Sequence, residues 1–85
     1  MEIKVIGTNS SNRIKLIKNI KKATDNNIDI KLVEKDNRYN ITNTPALVIN
    51  DKIISQGKVL NEREIKKFIE VLAYVVWIMF LYRMD

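Results

Sequence analysis

Residues 44–55 read Thr-Pro-Ala-Leu-Val-Ile-Asn-Asp-Lys-Ile-Ile-Ser. The apolar run over 46–49 is typical of a strand buried in a sheet. Asn50-Asp51 is a pair of residues that accept a positive φ, so it predicts a two-residue turn into a further strand over 52–55. Gly57 then ends the pair of strands. This stretch therefore predicts an antiparallel β-hairpin.

The chain before the hairpin predicts a strand, a helix and a second strand. Residues 2–6 (EIKVI) form a strand that stops at Gly7, and all five residues of 8–12 can cap a helix. Apolar residues then recur at helical spacing, at Leu16, Ile17, Ile20 and Ala23. The helix should end at the turn-forming run 25–27, and the alternating residues 28–33 favour a strand. A strand–helix–strand unit predicts that the two strands are parallel.

The rest of the chain completes an α/β fold. The polar stretch 34–43 should be irregular, with one helical turn at most. Asn61 should cap a last helix, because Glu62 and Glu64 suit the positive end of its dipole. The order β-α-β, then β-β-α, predicts a four-stranded mixed sheet with helices packed on it, and 85 residues make a single domain.

Composition excludes several kinds of chemistry. The chain contains no cysteine and no histidine, so it has no disulfide framework, zinc finger, thiol nucleophile or imidazole base. We expect neither a metal nor a cofactor. A net charge of +5 permits an acidic partner without requiring one. The opening residues show no charged cluster followed by an apolar core, so we expect a cytoplasmic protein without a secretory signal.

Three segments resemble a known family: Gly7-Thr8 at the end of the first strand, a helix beginning near Ser10, and the proline loop Thr44-Pro45-Ala46-Leu47-Val48-Ile49-Asn50. They resemble the small single-domain thioredoxin-like proteins, a glutaredoxin-sized group sometimes called redox-active disulfide proteins. Members typically read G-T-G-C-x-x-C at the first strand-to-helix junction and T-P-A-L-x-I-N-G at the proline loop. The resemblance implies a thioredoxin-like domain over 1–70, with 71–85 as an apolar extension of the last helix.

The two cysteines of that motif are absent. Laid over the family pattern, they fall on Ser10 and Arg13, with Ser11 and Asn12 between them. Thiol–disulfide exchange requires a thiolate that attacks a disulfide sulfur, and neither a hydroxyl nor a guanidinium can replace it. The resemblance therefore implies a redox-inactive member of the family, and a decayed or engineered form of an oxidoreductase is one interpretation.

Ser10 and Arg13 leave a further alternative open. Glutathione transferases on a related fold use a serine or tyrosine hydroxyl to steady the glutathione thiolate, so Ser10 could hold an external thiolate while Arg13 binds its carboxylates. We favour the simpler interpretation. In it, Ser10 or Asn9 is a plain N-cap, and Arg13 extends its guanidinium from the first turn into solvent.

Thr44-Pro45 is the second site that the resemblance implies. In the family this peptide bond is cis, and the backbone before it pairs with an extended peptide or a glutathione-like thiol. Two interpretations stay open for this chain: a working binding edge, or a proline that only shapes the loop.

A basic helix face carries the lysines at 15, 18, 21 and 22. No aromatic residue is interleaved with these lysines, and the chain has no known nucleic-acid motif. The pattern therefore indicates a solvated face rather than a surface for nucleic acid.

The uncharged run over 71–82, VLAYVVWIMFLY, is the least expected feature. A helix that is apolar on every face is buried or lies against another surface. Twelve residues of helix span about 18 Å, short of the roughly 30 Å of a bilayer core, so we expect no transmembrane span. We rank self-association through an interaction surface first, folding back onto the sheet second, and attachment to a membrane surface third. The residues of that interaction surface are Tyr74, Trp77, Met79 and Phe80.

The sequence therefore predicts a redox-inactive binding module. Its partner would be a protein or a second copy of the chain, held through the C-terminal helix, the proline loop or both. A glutathione-dependent enzyme is the alternative from a different class. Glutathione and nucleic acid both rank below a protein partner.

Overall fold

The computed structural model describes residues 1–83. Within them, four strands and two helices form one sheet with helices packed on it. The strand order is β2-β1-β3-β4, in which β1 and β2 are parallel and the other two pairs are antiparallel. This confirms the predicted α/β class and the four-stranded mixed sheet. The elements are β1 (Ile3–Ile6), α1 (Ser11–Ala23), β2 (Ile30–Val33), β3 (Ala46–Ile49), β4 (Lys52–Gln56) and α2 (Glu62–Tyr82).

The β3–β4 hairpin has the geometry that its sequence predicts. Asn50 and Asp51 have φ values of 52° and 65°. A positive φ at both central residues is what a type I′ turn requires. Leu47 pairs with Ser55 while Val48 pairs with Ile53, so the register shifts within the hairpin.

Both helices pack on one face of the sheet. Leu16 and Ile20 of α1 and Ile65 of α2 are fully buried there. Their partners from β1 and β3 are Ile3, Val5, Leu47 and Ile49. The helix α1 ends for a local reason. Asp25 and Asn26, which follow it, have φ values of 54° and 58°. Asp and Asn accept a positive φ more readily than most residues.

The opposite face is covered, in the described part of the chain, by the irregular segment 34–44, which we call the strap. Ile6, Ala46 and Val48 are buried beneath it, and Tyr39 and Ile41 of the strap pack against them. The strap contains a turn and no helical turn, and β2 is two residues shorter at its start than the alternation predicts. A polar segment without periodicity thus closes the second face of the sheet.

The helix α2 begins with a capping box. The Asn61 side chain accepts a hydrogen bond from the Glu64 N–H at 2.8 Å, and the Glu64 carboxylate accepts one from the Asn61 N–H at 3.2 Å. Ile69 and Leu72 are the last residues of α2 that pack against the core. The helix then continues to Tyr82 with its side chains largely exposed and does not fold back onto the sheet.

Candidate functional site

The residues that the resemblance assigns to the family's C-x-x-C motif, 10–13, lie at the N-terminus of α1. Ser10 is the N-cap: its Oγ accepts a hydrogen bond from the Arg13 N–H at 3.2 Å, and its carbonyl accepts one from the Ile14 N–H at 3.0 Å. Ser10, Ser11 and Asn12 are exposed. A serine nucleophile needs a general base within hydrogen-bond reach, whereas the described bond to Ser10 Oγ is the one that caps the helix.

The prediction that Arg13 extends into solvent is wrong. Its side chain is half-buried, and Nη1 donates a hydrogen bond to the Gly7 carbonyl at 3.2 Å. Its Nε is buried without a hydrogen-bond partner among the described residues. Arg13 begins the apolar face of α1 that packs on the sheet, so its guanidinium meets the end of β1 before it reaches water. One N–H of the guanidinium is therefore bonded to the chain's own backbone.

Gly7 brings the end of β1 close to the proline loop. Its φ is +145°, which strains any residue with a side chain, and a Cβ at this position would lie only 3.0 Å from the Cβ of Thr44, so Thr44 would have to shift. The Thr44–Pro45 peptide bond is cis. Pro45 is buried, Thr44 is exposed, and the Pro45 carbonyl accepts a hydrogen bond from the Gly57 N–H at 2.9 Å. The structure thus joins the β1–α1 junction and the proline loop at one end of the sheet.

A cleft of about 460 Å³ lies beside this end of the sheet, on the side of the strap. Thr8 and Thr44 line it from the β1–α1 junction and the proline loop, and Tyr39 and Ile41 line it from the strap. The sequence did not predict this cleft, because one of its walls comes from a polar stretch that has no periodicity to interpret.

Lys4 is a buried charge beneath the strap, and only 1% of it is exposed. Its Nζ lies 2.9 Å from Asp36 Oδ2 and 5.3 Å from the centre of the Tyr39 ring. Arg38 also binds the Asp36 carboxylate, through Nε at 3.1 Å and Nη2 at 2.9 Å. A buried ammonium requires such a partner, since a buried lysine without one keeps its charge only at a large cost in free energy.

The pKa values of this cluster follow from its hydrogen bonds. Those from Arg38 and Lys4 hold the pKa of Asp36 well below its usual range. The bond to Asp36 raises the pKa of Lys4. Tyr39 Oη donates to Asp51 Oδ1 at 2.6 Å, and this bond raises the pKa of Tyr39. Lys4, Arg38 and Asp36 are therefore charged near neutral pH, whereas Tyr39 stays protonated as a donor. Together these bonds tie the strap to β1 and to the hairpin turn.

The burial of Lys4 was not predicted from the sequence. Lys4 stands between Ile3 and Val5, so simple alternation assigns it to a solvated face. The strand β1 is instead flanked by β2 and β3 in the sheet, and its second face is closed by the strap. A strand with neighbours on both sides and layers on both faces has no solvated face.

The four residues predicted for an interaction surface are all exposed on the C-terminal half of α2. Tyr74 is 64% exposed, Trp77 60%, Met79 56% and Phe80 61%. Val71, Val75, Leu81 and Tyr82 of the same segment are exposed as well. Neither helix of the described chain combines the length and apolarity needed to cross a bilayer. Residues 1–83 place no three His, Cys, Asp or Glu side chains together as a metal site.

A family model described as a thioredoxin domain matches residues 1–70. That is most of the 85 residues, and the chain therefore belongs to the thioredoxin domain family. No curated protein and no solved structure matches the chain significantly. The match ends immediately before the uncharged run, so the exposed half of α2 lies beyond the part of the chain that the family defines.

Proposed function

We propose that this chain is a thioredoxin-like binding module that associates with a second copy of itself through residues 71–82 of α2. Its 85 residues contain no cysteine, so they cannot carry out the family's thiol–disulfide exchange. The observation that carries the proposal is the uncharged, exposed helix that extends past the family's domain.

The composition of this surface supports a protein interface. Aromatic residues and methionine are enriched in the buried centres of interfaces, and charged residues are depleted there. Tyr74, Trp77 and Phe80 are each at least 60% exposed within a segment that has no charge. Burying such side chains is favourable by about 25 cal/mol for each Å² of apolar surface removed from water.

A lipid surface fits these residues less well. Interfacial helices that bind membranes place Lys and Arg along their polar face, opposite the apolar one. Residues 71–82 have no Lys or Arg and no polar face. A protein surface of the same apolar character, as a second copy provides, is the better match.

The test places charges on two sides of α2 at once. Val75 and Trp77 point to opposite sides of the helix, because successive residues turn by about 100°. We expect the unaltered chain to be a dimer in size-exclusion chromatography with light scattering, and Val75→Glu/Trp77→Glu to be a folded monomer. Ile14→Glu is the matched control, since Ile14 is 57% exposed on α1 and should leave the dimer intact. An unaltered chain that is monomeric, or a variant that stays dimeric, refutes the proposal.

A further inference from the structure

We propose that the two copies pair in antiparallel orientation along one stripe of α2. This inference rests on the proposed self-association and specifies its geometry. The stripe consists of apolar residues at alternating intervals of three and four, the spacing that keeps one seam of a helix facing a partner helix. Its members are Phe68, Val71, Val75, Ile78 and Tyr82.

The stripe lies beside the side of α2 that faces the core. A second stripe at the same spacing begins with Ile65, Ile69 and Leu72, and these three already pack in the core. Phe68 and Val71 are instead 40% and 54% exposed. Four of the five residues of the first stripe are exposed and Ile78 is half-buried, so the stripe can meet another helix without disturbing the domain.

The exposed area is large enough for a specific pair. Tyr74, Met79 and Leu81 flank the stripe and are themselves exposed. At about 150–250 Å² for a whole aromatic side chain, Phe68, Tyr74 and Tyr82 alone leave roughly 370 Å² to cover, and the exposed aliphatic residues and Met79 add to this. One partner contributes about 800 Å² to an interface of standard size.

The charge distribution selects the antiparallel orientation. The net charge of +5 belongs to residues 1–70, because 71–82 are uncharged and Arg83 and Asp85 cancel. A parallel pair would set two such positive bodies side by side. An antiparallel pair separates them by about 18 Å of uncharged helix, beyond the Debye length of about 8 Å at physiological ionic strength.

The antiparallel register joins a protruding ring to a cleft. When Val75 lies opposite Ile78 of the second copy, Val71 lies opposite Tyr82 of that copy. Phe68 and Val71 line a cleft of about 460 Å³ with Glu64 and Lys67. Tyr82 is 81% exposed. Each copy thus supplies one ring and one cleft, and the contact closes as a two-fold symmetric dimer.

The first experiment uses two glutamate variants on opposite sides of α2. Val75 lies at the centre of the stripe, whereas Trp77 lies on the far side of the helix. By sedimentation, we expect Val75→Glu to raise the dissociation constant of the dimer at least tenfold and Trp77→Glu to change it less than threefold. If only Trp77→Glu weakened the dimer, the stripe would be wrong while self-association would stand.

The second experiment uses the absence of native cysteines, so that each introduced thiol is the only one in its chain. We expect Val71→Cys mixed with Tyr82→Cys to form a disulfide between copies under mild oxidation. Val71→Cys alone should form none, because antiparallel pairing separates the two copies of residue 71 by about 16 Å along the axis, whereas a disulfide needs Cα atoms within about 7 Å. Crosslinking of Val71→Cys with itself overturns the orientation.

Two further outcomes distinguish an error in the register from an error in the proposed function. If the chain is a dimer but neither the mixed sample nor Val71→Cys alone forms a crosslink, the register is wrong and the proposed function stands. A chain that is monomeric in sedimentation and binds vesicles of phosphatidylcholine and phosphatidylglycerol overturns both, because a lipid surface then covers α2 in place of a second copy.

Discussion

Ser10 is the residue that the resemblance aligns with the first cysteine of the family, and its hydroxyl oxygen accepts a hydrogen bond from the Arg13 N–H at 3.2 Å. The start of a helix lowers the pKa of a cysteine placed there and so makes it reactive. A serine at the same place stays protonated and stabilises the first turn. The same backbone geometry thus supports chemistry with one residue and only capping with the other.

We expect Ser10→Ala to lower the free energy of unfolding by about 1 kcal/mol, because the Arg13 N–H loses its cap. Ser11→Ala is the control, since Ser11 is an exposed residue inside the first turn. Urea denaturation followed by circular dichroism measures both. Equal effects of the two variants would show that Ser10 does not act as the cap.

Restoring both family cysteines should restore the family reaction. We expect Ser10→Cys/Arg13→Cys to reduce insulin disulfides in a turbidity assay with dithiothreitol, well above the background rate. The backbone N–H of residue 13 donates a hydrogen bond to the side chain of residue 10, the N-cap. Two thiols at these positions therefore lie on the same first turn of α1. Ser10→Cys alone is the control and should stay near background. A double variant that is folded but inert would mean that these positions are not those of the family's motif.

The strap covers the face of the sheet that lies opposite the two helices. It is held by ionic and polar contacts to strands distant in sequence, such as Lys4 with Asp36, 32 residues apart. Gln56 Oε1 of β4 accepts a hydrogen bond from the Thr42 N–H at 2.8 Å. Its attachment therefore depends on the charge of Asp36 as well as on the apolar packing of Tyr39 and Ile41.

Acid should weaken the strap in a way that Asp36 controls. The pKa of Asp36 is lowered in the fold, so its stabilising contribution is present above the unfolded value of about 3.9 and is lost as the pH falls through the folded value. We expect the gap in Tm between the unaltered chain and Asp36→Asn to be largest near neutral pH and to shrink below pH 4. Asp29→Asn, at an exposed aspartate, is the control. A gap that stays constant down to pH 2 would contradict this role.

Elements with local causes were predictable from the sequence, and those with distant causes were not. Asn50-Asp51 and the Asn61 capping box act through neighbouring backbone groups, so residue type alone indicates the turn and the helix start. The burial of Lys4 and the turn of Arg13 towards Gly7 depend on which elements meet in space. Periodicity carries no information about contacts of that kind.

At the scale of the whole molecule, the body formed by residues 1–70 and the projecting half of α2 differ in charge and in family membership. The 21-residue α2 extends beyond the body, and the molecule measures 48 × 28 × 18 Å. The body carries the family fold and all of the net charge, whereas the projecting half of α2 carries neither charge nor family identity. A contiguous apolar surface of this kind marks an interaction site, and association of two copies removes from water the side of it that carries the stripe.

Sedimentation equilibrium over a range of protein concentrations tests this account most directly. The monomer has a mass of 10.0 kDa. We predict that the average mass rises with concentration and levels off at twice that value, with the fit describing one monomer–dimer equilibrium. An average mass that stays at 10.0 kDa at every concentration would contradict self-association through α2.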